Sequence, residues 1–256
     1  AYLTNDSADG KSNTTDANGK VLLTSVATGP NSSKARVEII VQVNTAAASS
    51  QAVVYSKGDV TGNGSSLTIT GNDECGAGTA LSPIYTMDPA TTNLNGSPIL
   101  SGTPPTPQHG TLDINIPGLI NSFMPSATTT LTEDKNGTTY GSSTNYVTVY
   151  SDTDNPPNTQ GLKLQNVTGY GILLVKGDLT LGAGFNWNGI IYATGSVTLN
   201  GGGGEAINIH GQIYAGTSTV TDVTINGGNT LGYNSCAVKK ALASQAFKVV
   251  SWKHDY

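Results

Sequence analysis

The sequence is short of charge, of methionine and of long apolar runs, and each shortage excludes a class of protein. Charged residues make up 11% of the 256 residues, where an ordinary soluble domain has roughly one quarter, so a coiled coil or a highly charged disordered tail is excluded. The chain has 2 methionines against 32 glycines, which is unlike a helix bundle. No stretch approaches the ~20 consecutive apolar residues of a membrane-spanning helix.

Positive charge is the scarcer of the two signs. The chain has 12 lysines and arginines against 17 aspartates and glutamates, a net charge of −5. Arg36 is the single arginine, and the longest basic run is the pair Lys239 and Lys240. A protein that binds nucleic acid needs Lys and Arg side chains to neutralise phosphates. We therefore expect no nucleic-acid partner.

The chain is rich instead in glycine, threonine, serine and asparagine around short apolar segments, which predicts an all-β protein. Residues 21–27 and 35–43 flank a Gly-Pro-Asn turn, and the second segment alternates apolar and polar residues with period two. Residues 246–256 alternate in the same way but have no partner strand nearby in sequence. Both ends are therefore expected to form one small antiparallel sheet, from 1–50 and 237–256.

A repeat occupies the region between the two ends. Four segments share an apolar strand followed by a glycine turn: 53–60, 172–179, 190–197 and 212–216. Short strands that recur about every 20 residues with Gly or Asn corners are typical of a β-solenoid, in which each rung buries its apolar side against the next. We predict a solenoid of about four rungs over 51–236, inserted into the terminal sheet. A proline-rich stretch at 73–171 is predicted to form an irregular excursion.

Two cysteines, Cys75 and Cys236, each follow a strand-and-turn segment of the insertion. In a chain of this composition they indicate a secreted protein with one disulfide, and two separate buried thiols are the other interpretation. The disulfide would close a loop of about 160 residues, for which the loop-entropy relation gives about 5 kcal/mol as an upper figure. Neither cysteine has a Cys or His at ligand spacing, so no metal site is expected there.

Residues that could carry chemistry are sparse, and we predict no catalytic, cofactor-binding or metal-binding site. The three histidines lie in separate segments: His109, His210 and His254. The acidic pairs lie in turn-like contexts typical of solvated turn residues: Asp73/Glu74, Glu133/Asp134 and Asp152/Asp154. Calcium is a weaker alternative at two clusters: Asn5, Asp6, Asp9 and Gly10, or Asp152, Asp154 and Asn155. A carbohydrate-cleaving β-helix, which needs two carboxyls across a groove, also stays open.

Three tyrosines fall at the same position of the repeat: Tyr55, Tyr192 and Tyr214. Aromatic side chains at equivalent positions of stacked rungs lie above one another. Such a ladder could contact a glycan or protein partner from an outer face. The alternative, which we favour, is an aromatic stack that stabilises the solenoid itself.

Several stretches of this sequence together resemble one known family. They are 36–42, 71–76 with 82–84, 169–179, 184–195, 208–216 and 250–252. Through these residues, which span most of 34–256, the chain resembles the PilX-type type IV pilus assembly proteins, a bacterial minor-pilin family. The stretches around Cys75 and over 185–195 are the more specific parts of the resemblance.

The resemblance implies a pilin-like sheet with an inserted β-solenoid, in a non-enzymatic component of an extracellular filament that is periplasmic during assembly. The implied partners are other pilins or a PilY-family tip adhesin, with a surface ligand as a further partner. A pilin normally begins with a long apolar helix, which this chain lacks. We expect that helix either to have been removed or to lie on a separate chain, so that membrane contact occurs only through a helix absent here. A DNA-binding tip module is the alternative within this family, and the acidic charge argues against it.

Overall fold

The protein is mostly β, as its composition predicts, with both parallel and antiparallel strand pairing. The computed structural model describes residues 1–8, 10, 20–43, 51–64, 66–153, 161–202, 204–216, 221–243 and 247–255. The chain divides into two compact units, Ala1–Ala47 with Gln245–Tyr256 and Ala48–Ser244. We call the first the terminal sheet and the second the parallel unit.

The described residues form 23 strands and two α-helices, numbered here along the chain. Four strands belong to the terminal sheet: β1 (Tyr2–Asn5), β2 (Lys20–Thr28), β3 (Lys34–Val43) and β23 (Phe247–Asp255). The others form the parallel unit: β4 (Ala52–Ser56), β5 (Asp59–Asn63), β6 (Thr68–Thr70), β7 (Ser82–Met87), β8 (Thr92–Asn95), β9 (Ile99–Ser101), β10 (Gln108–Gly110), β11 (Thr129–Leu131), β12 (Lys135–Asn136), β13 (Thr139–Tyr140), β14 (Val147–Asp152), β15 (Leu162–Gln165), β16 (Thr168–Lys176), β17 (Leu179–Gly182), β18 (Asn186–Ala193), β19 (Val197–Asn200), β20 (Ile207–Ala215), β21 (Thr221–Asn226) and β22 (Asn229–Gly232). The helices are α1 (Ile116–Phe123) and α2 (Ser235–Ala243).

The terminal sheet pairs its strands antiparallel in the order β1-β2-β3-β23. β2 and β3 form a hairpin that runs from Lys20 opposite Gln42 to Thr28 opposite Lys34. β23 then adds to the free edge of β3, with Asp255 opposite Arg36. The two ends of the chain therefore meet in one sheet, because the alternating segment at the C-terminus finds its hydrogen-bonding partner in the N-terminal hairpin.

The parallel unit stacks its strands in three parallel ladders. The main sheet runs in the order β10-β7-β4-β20-β18-β16-β14-β11, and the side sheet in the order β12-β15-β17-β19-β21-β5-β8. A third ladder consists of β13, the first halves of β16, β18 and β20, and then β22, β6 and β9. Strands at the same level of the ladders make up a layer, and successive layers lie about 4.8 Å apart.

The core of the parallel unit consists of apolar columns that run from layer to layer. In the main sheet Leu173, Ile191 and Ile213 lie in register and are fully buried. The side sheet contributes a second column, Leu162, Leu179, Val197, Val223 and Val60. A strand of four residues cannot bury two such side chains alone, so the layers are stable only as a stack.

Glycines allow three long strands to turn the corner between two ladders without a break. Gly171, Gly189 and Gly211 lie in register in β16, β18 and β20, and all have positive φ angles. A Cβ on Gly189 would lie 2.0 Å from the carbonyl oxygen of Gly171. Only glycine fits this column, because both the backbone angle and the close approach of the next layer exclude a side chain.

The stretch at 73–171 differs from the prediction of an irregular excursion. It supplies strands to every ladder, among them β7, β8, β9, β10, β11 and β14. The main sheet consequently has eight strands, where the repeat predicted about four rungs. The sequence repeat does not include these additional layers, because loops of unequal length separate their strands. In addition, Pro83, a residue that is unfavourable in strands, lies inside β7.

The order of the layers in space differs from their order along the chain. The first stretch, residues 51–110, forms the layers from β4 to β10, and the second stretch, residues 129–232, forms those from β11 to β22. The end of the second stretch stacks on the start of the first through three parallel pairings, β20–β4, β21–β5 and β22–β6. We call this junction the seam.

Helix α2 belongs to the parallel unit, although the sequence placed residues 237–243 with the terminal sheet. It packs on β16, β18 and β20 of the main sheet. Its buried residues, Ala237, Val238 and Ala241, form one side of the helix. These small side chains allow the helix to lie close to the sheet, and the boundary of the unit therefore follows the helix, at Ser244.

Candidate functional site

The three predicted tyrosines do stack, in a column longer than the sequence indicated. Tyr55 and Tyr214 have ring centroids 6.0 Å apart, and Tyr192 and Tyr214 4.8 Å apart. Tyr85 extends the column, stacked on Tyr55 at 5.8 Å. The column lies on the outward side of the main sheet, since its members alternate with the inward residues of the core.

The interpretation of this ladder as a contact surface for a partner is wrong, because a helical segment covers the tyrosines. Tyr55, Tyr192 and Tyr214 are each at most 1% exposed. Phe123 of α1 stacks on Tyr192 at 5.9 Å, and the buried Ile116 and Ile120 complete the cover. The aromatic column therefore serves the interior of the parallel unit, as the structural alternative proposed.

Two hydroxyls of the column have opposite environments. The Tyr55 hydroxyl donates to the carbonyl oxygen of Leu112 at 2.7 Å and accepts from the amide of Ile114 at 3.0 Å. The Tyr192 hydroxyl makes no hydrogen bond among the described residues. Burial raises the pKa of both phenols above the ordinary value. Tyr55 thus anchors the covering segment, whereas Tyr192 contributes its ring alone.

The predicted disulfide is present and lies beside the seam. Cys75 and Cys236 are bonded, with Cα atoms 5.9 Å apart and a sequence separation of 161 residues. Backbone hydrogen bonds also join the two stretches at this point. The amide of Tyr233 donates to the carbonyl oxygen of Thr70, and the amide of Glu74 donates to the carbonyl oxygen of Tyr233, each at 2.9 Å. The disulfide therefore joins the end of the second stretch covalently to the first stretch.

Asp73 binds the start of α2 to the loop that holds Cys75. Its Oδ1 accepts from the amides of Ser235 and Cys75, at 2.8 and 3.2 Å. Its Oδ2 accepts from the Ser235 hydroxyl at 2.8 Å and from the amides of Ala77 and Gly78. Desolvation raises the pKa of Asp73, but these hydrogen bonds outweigh it and hold the pKa well below its usual range. The carboxylate is fully used as a structural cap.

Glu74 makes the second polar contact of this corner. Its Oε2 lies 2.8 Å from His210 Nδ1 and 3.3 Å from the side-chain nitrogen of Asn234. The hydrogen bond to the Glu74 carboxylate, which accepts from the protonated ring, raises the pKa of His210, and partial burial opposes that shift. We call the group of Asp73, Glu74, His210 and the disulfide the seam corner. Its contacts join β20 and α2 to the loop after β6, which is a structural arrangement.

Other acidic residues also bind the neighbouring layer. Asp59 Oδ1 accepts from the amide of Thr91 at 2.6 Å, and Asp178 Oδ1 accepts from the amide of Ser196 at 2.7 Å. Asp134 accepts from the amide of Lys163 at 2.8 Å. Each carboxylate thus satisfies a backbone N–H at a corner of the next layer. This repeated use accounts for the spacing of the aspartates along the chain.

No metal cluster is present in the part of the chain that the structure describes, where no three His, Cys, Asp or Glu residues come together as ligands. Of the two predicted calcium clusters, Asp9, Asp154 and Asn155 lie outside the described residues. Asp6 is buried, and its carboxylate accepts from the amide of Ala8 at 3.1 Å. His109 lies in β10, His210 in β20 and His254 in β23, on three different strands.

A cleft of about 400 Å³ opens at the end of the parallel unit, beside β7 and the terminal strands β8 and β10. It is lined by Thr86, Asp88–Thr92 and Pro107–His109. His109 Nδ1 lies 3.9 Å from Asp88 Oδ1, and both side chains are more than half exposed. Thr92 is in register with Val60 and is the last residue of the inward column of the side sheet. Its hydroxyl oxygen is buried and makes no hydrogen bond among the described residues. We call this the terminal cleft.

An aliphatic face is open on the terminal sheet. Leu3 lies opposite Leu23, which lies opposite Ile39, so the three side chains share one side of the sheet. Val21 and Val41 flank them in register. Leu3 is 63% and Leu23 38% exposed, and the other three are half-buried. This side of the sheet is therefore accessible to a partner of apolar chemistry.

The disulfide indicates an oxidising, non-cytoplasmic setting, because cytosolic thiols are kept reduced. The two α-helices are eight and nine residues long, and no helix in the described ranges has the length and apolarity to cross a membrane. No family model, curated protein or solved structure matches this chain.

Proposed function

We propose that this chain is a non-enzymatic, minor-pilin-like component of a type IV pilus that acts in filament assembly or tip recognition. In this proposal the parallel unit is a β-solenoid inserted into a pilin-like sheet. Its neighbours are other pilins or a PilY-family tip adhesin, and its place is the extracellular filament, reached through the periplasm. The disulfide supports such a place, since it forms and persists in oxidising compartments.

The open aliphatic face of the terminal sheet carries the proposal. A surface of contiguous apolar side chains in a soluble protein marks an interaction site. Leu3, Leu23 and Ile39 present such a surface on the three N-terminal strands of the terminal sheet. The apolar helix that the resemblance implies is a cover of matching chemistry, whether it precedes this chain or lies on a separate one.

The parallel unit offers the recognition surface of the proposal. The terminal cleft leaves the edges of β8 and β10 accessible, and an edge strand can pair with a strand of another protein. The acidic residues that an enzyme would need are used otherwise, since Asp59, Asp73 and Asp178 all accept backbone hydrogen bonds. Shape and edge complementarity are therefore the proposed mechanism.

Site-specific photo-crosslinking in the source bacterium tests this function. A photoreactive residue at Leu23 is expected to form an adduct with a pilin-type subunit in the sheared filament fraction. The matched control places the same residue at Thr130, an exposed threonine of β11 in the parallel unit, where no such adduct is expected. Absence of the chain from sheared filaments, together with unchanged pilus number after deletion of its gene, would contradict the proposal.

A second variant separates assembly from recognition. Ala90→Trp fills the terminal cleft, whose lining residues all belong to the parallel unit. We expect the variant to enter the filament in wild-type amount and to lose binding to its tip partner in co-purification. Loss of both would place the cleft in assembly, and loss of neither would exclude it as the recognition surface.

A further inference from the structure

The outward side of the side sheet is a regular array of hydroxyl and amide groups. One column consists of Thr180, Thr198, Thr224 and Thr61, in register on β17, β19, β21 and β5. Two residues further along each strand is a second column, Asn200, Asn226, Asn63 and Asn95 on β19, β21, β5 and β8. We call these two columns the polar face. Its members are exposed or half-buried.

The polar face runs across the seam without interruption. Thr224 from the second stretch and Thr61 from the first have hydroxyl oxygens 3.4 Å apart. Asn226 and Asn63 are likewise in register across the same junction. Two separate parts of the sequence thus supply the same residue types at the same positions. Both residue types are present on β19, β21 and β5, and the two columns together span five strands of the side sheet.

The polar face is rigid and evenly spaced. Neighbouring strands lie about 4.8 Å apart, and residues two apart on one strand are about 6.6 Å apart. The Asn226 amide donates to Asn200 at 3.0 Å, and the Asn95 amide donates to Asn63 at 3.1 Å. A side-chain amide has two N–H donors and two lone pairs. The bonds along the column therefore fix the amides and leave part of their capacity directed outward.

The polar face has no ionisable side chain in its two columns. The nearest member of the array with a charge is Lys163, at the β15 end of the threonine column. The carboxylates of Asp59 and Asp178 lie at the corners before the strands and bind the next layer. A face of this kind complements a neutral ligand that both donates and accepts hydrogen bonds at regular intervals.

A notch interrupts the asparagine column at Gly182. Glycine occupies the place where the other layers carry an amide, in register with Asn200. A Cβ at Gly182 would lie 3.2 Å from the Cβ of Gln165, so the two layers are in close contact there. The notch is part of a cavity of about 270 Å³ lined by Lys163, Gln165, Thr180, Gly182, Ala183, Asn200 and Gly202.

The two outward sides of the parallel unit differ in a way that points to a ligand. The outward side of the main sheet is apolar and is covered by α1 and α2. The outward side of the side sheet is polar over the layers from β17 to β8, and no described helix packs on it. We propose that the polar face binds a neutral polysaccharide. The chain of sugar hydroxyls lies along the columns, and one sugar residue enters the cavity that Gly182 borders.

This assignment rests on the adhesive part of the proposed function for its biological setting, and on the face itself for its chemistry. A nucleic acid or an acidic glycan requires cationic side chains, which the two columns lack. A neutral polysaccharide requires none, and its repeating hydroxyls match an array that repeats with every layer. Regular binding along several layers also sums many weak contacts into one useful affinity.

Affinity electrophoresis in gels containing dextran, a soluble β-1,3-glucan or glycogen, with pull-down on insoluble cellulose and chitin, tests the assignment. We expect retention of the wild-type protein by at least one polymer, and a loss of tenfold or more in affinity for Thr198→Lys. Thr198→Ser is expected to retain most of the binding. Thr130→Lys, a matched exposed strand position outside the face, is expected to bind as wild type, and equal melting temperatures verify folding.

Three results would overturn the assignment. They are retention by none of the polymers, equal retention of Thr198→Lys and Thr130→Lys, and stronger binding to dextran sulfate or alginate than to neutral polymers. Self-association that Thr198→Lys abolishes would assign the face to a second copy of this chain. The assay uses the purified protein, so polysaccharide binding without filament location contradicts only the pilus proposal, and filament location without binding contradicts only the ligand.

Discussion

The first and second stretches of the parallel unit build the same layers with different corners. In the second stretch, Gly171, Gly189 and Gly211 carry a strand directly from the third ladder into the main sheet. In the first stretch, loops at 71–81 and 102–107 occupy that corner. The layers themselves are alike, since both stretches supply inward apolar columns and outward threonine and asparagine.

The difference separates regularity from specificity. The tight corners of the second stretch can hold only glycine, so its layers repeat and carry little beyond the core and the polar face. The looped corners of the first stretch hold Asp73, Glu74 and Cys75, and the terminal cleft lies where that stretch ends. An inserted loop at a corner leaves the stack intact, and it adds side chains that can bond to something other than the next layer.

Breaking the disulfide is expected to have the largest effect. Cys75→Ser with Cys236→Ser removes a link across 161 residues, and the unfolding free energy should fall by as much as about 5 kcal/mol. Denaturant unfolding of the double variant and the oxidised wild type measures the loss. Hydrogen exchange should accelerate first in β4, β5 and β6 at the seam, with β16 and β18 as the control. Uniform acceleration would mean that the seam is no weaker than the other layers.

A pair of glycine variants compares the two kinds of corner directly. Gly189→Ala places a Cβ 2.0 Å from the Gly171 oxygen, so we expect a loss of about 3 kcal/mol or more. Gly76→Ala lies in the loop of the first stretch, also at positive φ, but with no atom within 4 Å of the new Cβ. Its cost should be about 1 kcal/mol, from the backbone angle alone. Equal melting temperatures for the two variants would contradict the distinction.

Asp73→Ala tests how much the loop of the first stretch holds α2. The change leaves the amides of Ser235, Gly78 and Cys75 without their acceptor, and about 2 kcal/mol of unfolding free energy should be lost. The folded pKa of Asp73 lies below the unfolded value of 3.8. Its contribution is therefore complete above about pH 4 and decreases as the pH falls further. If the unfolding free energy of the variant decreased below about pH 4 as steeply as that of the wild type, this role would be excluded.

Two tyrosines at the same column position, one from each stretch, should respond differently to loss of the hydroxyl. Tyr55→Phe leaves the amide of Ile114 without a partner, so a loss of about 1–2 kcal/mol is expected. Tyr192→Phe removes a buried hydroxyl that makes no hydrogen bond within the described residues, so its stability should be unchanged or slightly higher. Thermal unfolding of the two variants side by side measures the difference, and a reversed order would contradict it.

The smallest expected effect is the pH dependence of the contact between His210 and Glu74. The folded pKa of His210 lies above the unfolded value of 6.5. Its stabilisation is therefore complete below about pH 6.5 and is lost as the pH rises through the folded pKa. Because both side chains are partly exposed, the change should be about 0.5 kcal/mol. His210→Gln should flatten the stability curve between pH 6 and 8, and an unchanged slope would assign that dependence elsewhere.

The sequence was sufficient for the parts of the fold that rest on local pattern. Alternation in residues 35–43 indicated the terminal hairpin, and the repeat at 172, 190 and 212 indicated stacked strands. The two cysteines of an otherwise cysteine-free chain were predicted to pair, and they do. In each case the interaction that forms the structure is visible in the spacing of residues along the chain or in the presence of only two cysteines.

A second repeated pattern marks the strands of the main sheet. Five segments contain Val or Ile, then Tyr, then a small residue: 54–56, 84–86, 149–151, 191–193 and 213–215. All five lie on neighbouring or nearby strands of the main sheet, with the tyrosines in one register column. The segments at 84–86 and 149–151 would have placed β7 and β14 in the stack.

The candidate sites could not be predicted from the sequence, because each depends on packing between segments that are distant along the chain. Whether Tyr192 is exposed depends on α1, which is nearly 70 residues away in sequence. The continuity of the polar face depends on the seam, where Thr224 meets Thr61. The exposure of Leu23 depends on whether another segment packs on that side of the terminal sheet. Each is a property of long-range packing, which spacing alone does not encode.

The seam also determines when the parallel unit can complete its folding. Residues 51–110 leave the ribosome or the export channel first, yet the surface on which β4 and β5 stack is provided by β20 and β21, which emerge more than 140 residues later. The first stretch must wait with one side of its apolar column uncovered. Closure of the stack, and with it formation of the disulfide, is a late and long-range event, and the chain belongs among slow folders whose newly made N-terminal part needs protection.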